Sequence, residues 1–270
     1  MSTLFQAAVD RDLVVVDGPD ATSFLQSLVS QDLDPVAVGA GVHTLLLQPQ
    51  GKLLVDLYAV RVASDTWWCI TEGGFGPALA DGLNRFKIRV KAEIRSETVA
   101  ALAIRGEATV PAGAGVQVVA VDGWDGPAYD AVGSTDAIVA LSAALSMPVV
   151  DADAYERARI EAGVPRQGID VDERTIPQEA GLERVAVSFT KGCFVGQELV
   201  CRIDTRGHVN RLLRRLRASE PLAIGAEVRS GDKAVGVVTS AVGEVALAMI
   251  RREVEPGAEV LVSGIAAAVE

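Results

Sequence analysis

The chain has 270 residues, 49% of them hydrophobic, enough to bury one large core or two to three smaller ones and too apolar for a disordered protein. Its formal net charge of −11 repels polyanions, so neither direct tRNA binding nor attachment to an anionic membrane is expected. Three cysteines (Cys69, Cys193 and Cys201) make no closely spaced even framework, no leader peptide is legible at the start and no apolar run spans a bilayer, so a cytoplasmic location is expected.

Residues 13–16 are a short apolar run closed by Asp17-Gly18-Pro19-Asp20, after which Phe24, Leu25, Leu28 and Val29 recur at helical spacing. The pattern predicts a strand, a capped turn and a helix. Residues 44–47 and 53–62 flank Gln48-Pro49-Gln50-Gly51 as a hairpin, and 67–70 adds a third strand. Trp67 and Trp68 face opposite sides of that strand, which puts one in the core and leaves the other to line a cavity. A helix is expected over 77–86, strands over 91–96 and 100–104, a glycine- and alanine-rich spacer over 108–115 and a strand over 116–121.

Helices are predicted over 136–145 and 152–162. The stretches 163–168 and 174–179 are too polar and too punctuated for regular structure and read as site-forming loops. Beyond Asn210 come short strands at 212–216, 227–229, 234–239, 245–250 and 260–262, with turns at Gly231-Asp232 and Pro256-Gly257, as in a small β-barrel or sandwich. The fold class is α+β, divided into residues 1–210 and 211–270.

The stretch with the most chemistry is Lys191-Gly192-Cys193-Phe194-Val195-Gly196-Gln197-Glu198. A nearby lysine and a helix start at 196–198 would both favour the Cys193 thiolate; the alternative is a small buried side chain in a glycine-rich turn. Cys193, Cys201 and His208 follow no zinc or ferredoxin spacing, so no metal site is expected. In Arg159-Ile160-Glu161-Ala162-Gly163, the carboxylate at a helix end could accept paired N–H donors such as a 2-aminopyrimidine edge, or face water.

Three runs, Arg159-Ile160-Glu161-Ala162-Gly163-Val164-Pro165, Ile176-Pro177-Gln178-Glu179 and Val187-Ser188-Phe189-Thr190 continuing into the Lys191–Glu198 motif, resemble in order and spacing the YgfZ proteins, folate-binding relatives of the glycine-cleavage T-protein. Val16-Asp17-Gly18-Pro19-Asp20-Ala21, Phe24-Leu25-Gln26 and Gln50-Gly51-Lys52 extend the likeness toward the N-terminus. The resemblance implies three subdomains in a ring around a central cavity for tetrahydrofolate or a one-carbon derivative, the last a small β-barrel. It further implies Glu161 on the pterin, Cys193 as functional thiol, and Lys191, Gln197, Arg202 and Arg206 among the folate contacts.

The T-protein's catalytic acid lies in a Gly-Gly-x-x-Asp-Asp-Leu hairpin, where this chain has Gly51-Lys52-Leu53-Leu54-Val55-Asp56-Leu57. Valine at the first acidic position weighs against aminomethyl transfer and leaves Asp56 as the remaining candidate acid. The implied function is a tetrahydrofolate-binding factor for assembly or repair of iron-sulfur proteins, tRNA-modifying enzymes included, with iron-sulfur client or assembly proteins as partners. The alternative is a tetrahydrofolate-dependent one-carbon transferase of aminomethyl or demethylase type. The arginines at 202, 206, 211, 214, 215 and 217 admit three readings: a tRNA contact, a clamp for the anionic folate tail, and a solvated face.

Overall fold

The computed structural model describes residues 4–110 and 115–270; residues 111–114 of the alanine- and glycine-rich spacer lie outside the described residues. The first nine strands are β1 (Phe5–Val9), β2 (Arg11–Asp17), β3 (Gly41–Leu47), β4 (Leu53–Ala63), β5 (Thr66–Glu72), β6 (Glu93–Glu97), β7 (Ala100–Arg105), β8 (Val116–Ala120) and β9 (Ala128–Gly133). Six more follow: β10 (Arg211–Ala218), β11 (Glu227–Ser230), β12 (Lys233–Val242), β13 (Val245–Arg251), β14 (Glu259–Val262) and β15 (Ile265–Val269). The helices are α1 (Ala21–Leu28), α2 (Gly76–Asn84), α3 (Thr135–Ala144), α4 (Ala152–Ala162), α5 (Glu183–Ala186) and α6 (Gln197–Arg206).

They make a five-stranded sheet (β3-β4-β5-β2-β6), a four-stranded sheet (β1-β7-β9-β8) and a closed six-stranded barrel (β10-β13-β12-β11-β14-β15). β1 comes first in the chain but pairs with β7, so the two sheets are interleaved in sequence. Among the described residues no helix is long and apolar enough to cross a membrane.

β2 is apolar from Leu13 to Val16 because both its faces are covered there. Val14 and Val16 pack with α1 and α2, and Leu13 and Val15 pack into the layer between the two sheets. β4 alternates instead: Val55, Leu57 and Ala59 enter the helix-side core, and Asp56 and Tyr58 face the other sheet. The adjacent tryptophans divide in the same way. Trp67 is fully buried on the helix side, its indole N–H donating to Thr22 Oγ1 at 2.9 Å, and Trp68 packs in the inter-sheet layer.

Four elements fall where no strong sequence pattern stands. β1 and β9 are short and mix alanine with buried polar side chains (Gln6 and Asp130), α5 is a single turn, and β15 has alanine at its three central positions. Within the punctuated 174–179 segment a 3-10 turn covers Pro177–Glu179. α2 stops at Asn84, two residues short of the apolar pattern, and Phe86 beyond it is exposed.

Two glycines join the β3–β4 hairpin to the start of α6. Gly51 and Gly196 both have positive φ (78° and 80°), and a Cβ built on Gly196 would lie 2.4 Å from the Gln48 carbonyl oxygen. A Cβ on Gly51 would lie 2.8 Å from the Gly196 carbonyl oxygen. The Gln50-Gly51-Lys52 turn and the Gly196-Gln197-Glu198 helix start therefore touch backbone to backbone, an approach only glycine permits. Adding left-handed strain to overpacking, Gly196→Ala is expected to cost roughly 2–5 kcal/mol of stability. Urea unfolding checks this, and a loss below about 1 kcal/mol would contradict so tight a contact.

Candidate functional site

A cavity of about 330 Å3 opens between the two sheets, closed on its third side by α4 and the loop that follows it. His43, Asp56 and Tyr58 on β3 and β4 form one wall. The hairpin register sets Asp56 opposite Leu45, which places His43 on the diagonal and on the same face. His43 Nε2 lies 2.5 Å from Asp56 Oδ1, its Nδ1 lies 3.6 Å from Asp122 Oδ2, and the imidazole stacks on Tyr58 with centroids 4.5 Å apart. Burial alone would lower the imidazole's pKa; the charges of Asp56 and Asp122 and the hydrogen bond to Asp56 outweigh it and raise the value to about 9.

A second wall is a buried ion network. Arg11 pairs with Glu72 at 2.7 Å and Asp130 at 2.9 Å, and Arg105 donates to Asp130 Oδ1 at 2.9 Å and to the Tyr155 hydroxyl at 3.1 Å. Burial would raise the Asp130 pKa, but the two arginines hold it below the ordinary value. For Glu72 burial prevails over Arg11 and Arg166, and its pKa is raised. The Arg105 guanidinium also stacks on Trp124, 4.3 Å from the ring centroid.

The loop after α4 supplies the third wall. α4 is capped at its start by the Asp151 side chain and ends at Gly163 in the left-handed conformation. From the loop, Gln167 reaches β4: its Oε1 accepts from the Asp56 backbone N–H and its Nε2 donates to the Leu54 carbonyl, both at 2.8 Å. Gln167 thus fixes the backbone on which Asp56 sits. Of the two loops expected to form a site, 163–168 lines the cavity. The other, 174–179, braces the barrel instead, with Glu179 pairing to Arg211 at 2.8 Å.

Of the side chains expected to act on a ligand, Asp56 alone lines this cavity. Val55 does not weigh against aminomethyl transfer as expected: strand alternation buries residue 55 in the helix-side core, so an acid there would not face the cavity, and residue 56 does. Glu161, expected on the pterin, sits about two-fifths exposed on a neighbouring depression and pairs with Arg157 at 3.2 Å. Lys191 is not a cavity residue. Its Nζ donates to the carbonyls of Gln26, Val29 and Gln31 at 2.7–2.9 Å, which caps the end of α1 and anchors its own loop rather than a ligand.

Gln197 Oε1 accepts from the Phe194 N–H at the start of α6, and Arg202 and Arg206 are exposed on that helix. None of the three lines the cavity; α6 packs at the turn end of the β3–β4 hairpin, where Leu199 and Gly196 meet Gly51. Cys193 is exposed, which removes the buried-turn alternative. Cys69 is the contrasting thiol, fully buried with its pKa pushed up by burial to about 12. Trp68 also lies outside the lining; the cavity's aromatic rings are Tyr58, Trp124 and Tyr155. Among the described residues no group of three or more His, Cys, Asp and Glu gathers as a metal site.

His43, Arg105 and Trp124 were not legible as site residues, and Gln167 was read only as part of the 163–168 loop. His43 carried the one usable signal: once the hairpin is drawn, a histidine stands diagonal to Asp56 on the same face. Arg105, Trp124 and Gln167 come from three separate segments that only the tertiary fold brings together.

Residues 12–110 match the GCVT N-terminal domain and residues 211–270 the CAF17 C-terminal beta-barrel domain. An aminomethyltransferase of Prosthecochloris aestuarii is 29% identical over 70% of this chain and 61% of its own length. The mitochondrial iron-sulfur cluster assembly factor IBA57 homolog of Chaetomium globosum is 25% identical over 74% of this chain and 53% of its own. The chain thus spans less than two thirds of both relatives. In structure, glycine cleavage system aminomethyltransferase T from Bartonella henselae matches with a TM-score of 0.86 over 100% of this chain and 85% of that one, at 21% identity. The chain therefore joins a GCVT N-terminal domain to a CAF17 C-terminal β-barrel domain on the aminomethyltransferase fold, in keeping with the YgfZ and T-protein resemblance of its motifs.

Proposed function

We propose that this chain binds tetrahydrofolate, or a one-carbon derivative, with the pterin in the Asp56 cavity, and that it serves the assembly or repair of iron-sulfur proteins. The observation that carries the folate reading is the cavity itself: a small-molecule-sized space with aromatic walls, into which the Asp56 carboxylate is presented from a rigid strand and oriented by His43 and Gln167, while Glu72 and Asp130 are held by arginines. A pterin offers parallel 2-amino and N3–H donors, which suit such a carboxylate, and a flat ring, which suits Tyr58 and Trp124. In this reading Asp56 takes the role that the motif resemblance gave to Glu161.

The iron-sulfur reading draws on the CAF17-type barrel, on the assembly-factor relatives and on Cys193. An exposed thiol on a loop pinned by Lys191 is placed to meet another protein, and iron-sulfur clients or assembly proteins are the proposed partners. The extension to tRNA-modifying clients, and a cytoplasmic location, rest on sequence alone.

One observation favours a second reading, a tetrahydrofolate-dependent one-carbon transferase. Asp56 faces the cavity in contact with a protonatable imidazole, which is the equipment of an acid–base residue.

Titration calorimetry with tetrahydrofolate tests the first reading. Loss of a charge-assisted contact in Asp56→Asn is expected to weaken binding roughly 10- to 100-fold, with Glu161→Gln unchanged. The reverse order would move the pterin to Glu161, and turnover of an amine donor that Asp56→Asn abolishes would favour the transferase.

For the thiol, Cys193→Ala is expected to fold and bind folate as wild type does yet fail to support iron-sulfur enzyme activity in a deletion strain. Full complementation would contradict the role.

Because the folded-state pKa of His43 lies above the ordinary 6.5, its pairing stabilises the fold fully below about pH 6.5, and that contribution disappears as pH rises through about 9. Denaturant unfolding of wild type is expected to show this loss, and His43→Gln to lack it. Identical pH profiles for the two would refute the coupling.

A further inference from the structure

β10 alternates across the barrel wall. Leu216 fills the barrel core, and Arg215 and Arg217 on either side of it point outward onto a second depression, of about 540 Å3. Both guanidiniums converge there on one carboxylate: Arg215 Nε lies 3.0 Å from Glu270 Oε2, and Arg217 Nε lies 2.9 Å from Glu270 Oε1. The acids on the α4 side are engaged elsewhere, since Arg157 pairs with Glu161 at 3.2 Å and with Glu244 at 2.5 Å. Arg215 also donates to the Glu161 backbone carbonyl, which holds its guanidinium against the end of α4.

This depression and the Asp56 cavity share a wall. Arg105 and the Trp124 ring stacked on it line both, so a ligand seated on Asp56 that extends past Trp124 arrives at Arg215 and Arg217. The three partners there are all about a third to a half exposed, and an ion pair so exposed to water contributes little to stability. An incoming carboxylate of the same geometry can therefore replace the Glu270 side chain at small cost.

We propose that Arg215 and Arg217 form a carboxylate subsite that takes the glutamyl tail of the folate, with the Glu270 side chain as the internal occupant it displaces. The proposal rests on the folate reading above and gives the tail to the barrel arginines instead of Arg202 and Arg206. The p-aminobenzoyl ring then passes Trp124, which lines both spaces.

Calorimetry with two ligands on the full chain separates this subsite from the cavity. Tetrahydrofolate is expected to bind roughly three- to thirtyfold more tightly than tetrahydropteroate, which lacks the glutamyl group. Arg217→Gln is expected to erase that difference without changing the affinity for tetrahydropteroate, which also reports that the variant is folded. Glu270→Gln is expected to widen the difference by releasing both arginines. Equal affinities of wild type for the two ligands would overturn the subsite and leave the folate reading standing, as would an Arg217→Gln effect equal on both. Failure of both ligands to bind would remove the folate reading and the subsite with it.

Discussion

The two-residue period of β4 is the constraint on which the candidate site depends. It sends Val55, Leu57 and Ala59 into the helix-side core, which cannot slip by one residue without putting Asp56 there in their place. Core packing thus fixes the register, and the register delivers Asp56 to the cavity. His43 follows from the hairpin pairing, and Gln167 then clamps the β4 backbone from the opposite side. Gly51 and Gly196 extend the same logic outward, because their backbone contact seats the Cys193 loop and α6 on the outer end of the hairpin.

The cavity keeps its charges in pairs. Arg11 and Arg105 share Asp130, Arg11 also takes Glu72, and His43 stands between Asp56 and Asp122. Buried charges without partners would be costly, so these pairings hold the walls in one arrangement. Among the described residues His43 Nδ1 is one of few buried polar side-chain atoms lacking a hydrogen-bond partner, and it lies on the cavity wall. The thiol chemistry is separate in space: Cys193 does not line the cavity but is exposed on a loop held by Lys191, beside the helix start that meets the hairpin turn. A small-molecule site and a partner-facing thiol can thus coexist without sharing residues.

Much of the fold was legible because its strands and helices carry strong periodicity. β2, the β3–β4 hairpin, α1, α4 and most of the barrel strands fall where apolar spacing and turn residues place them. β1, β9 and β15 were not, since alanine-rich strands with an occasional buried polar residue carry no alternation to read. The site was legible at Asp56 and at the 163–168 loop. Of the residues expected among the folate contacts, Lys191 ties the Cys193 loop to the end of α1 and Gln197 bonds within that loop's helix start, and motif spacing does not separate residues that shape a loop from residues that touch a ligand. Arg215 and Arg217 were read only as part of an arginine surplus, because the side of the barrel they face is set by Leu216 pointing in.

A crystal structure of the chain with tetrahydrofolate is the most direct test of the account. The pterin is predicted to lie against Asp56 between Tyr58 and Trp124, with the glutamyl carboxylates on Arg215 and Arg217 and the Glu270 side chain displaced. A pterin held by Glu161 with the Asp56 cavity filled only by water, or a folate bound beside Lys191 and Cys193, would contradict it.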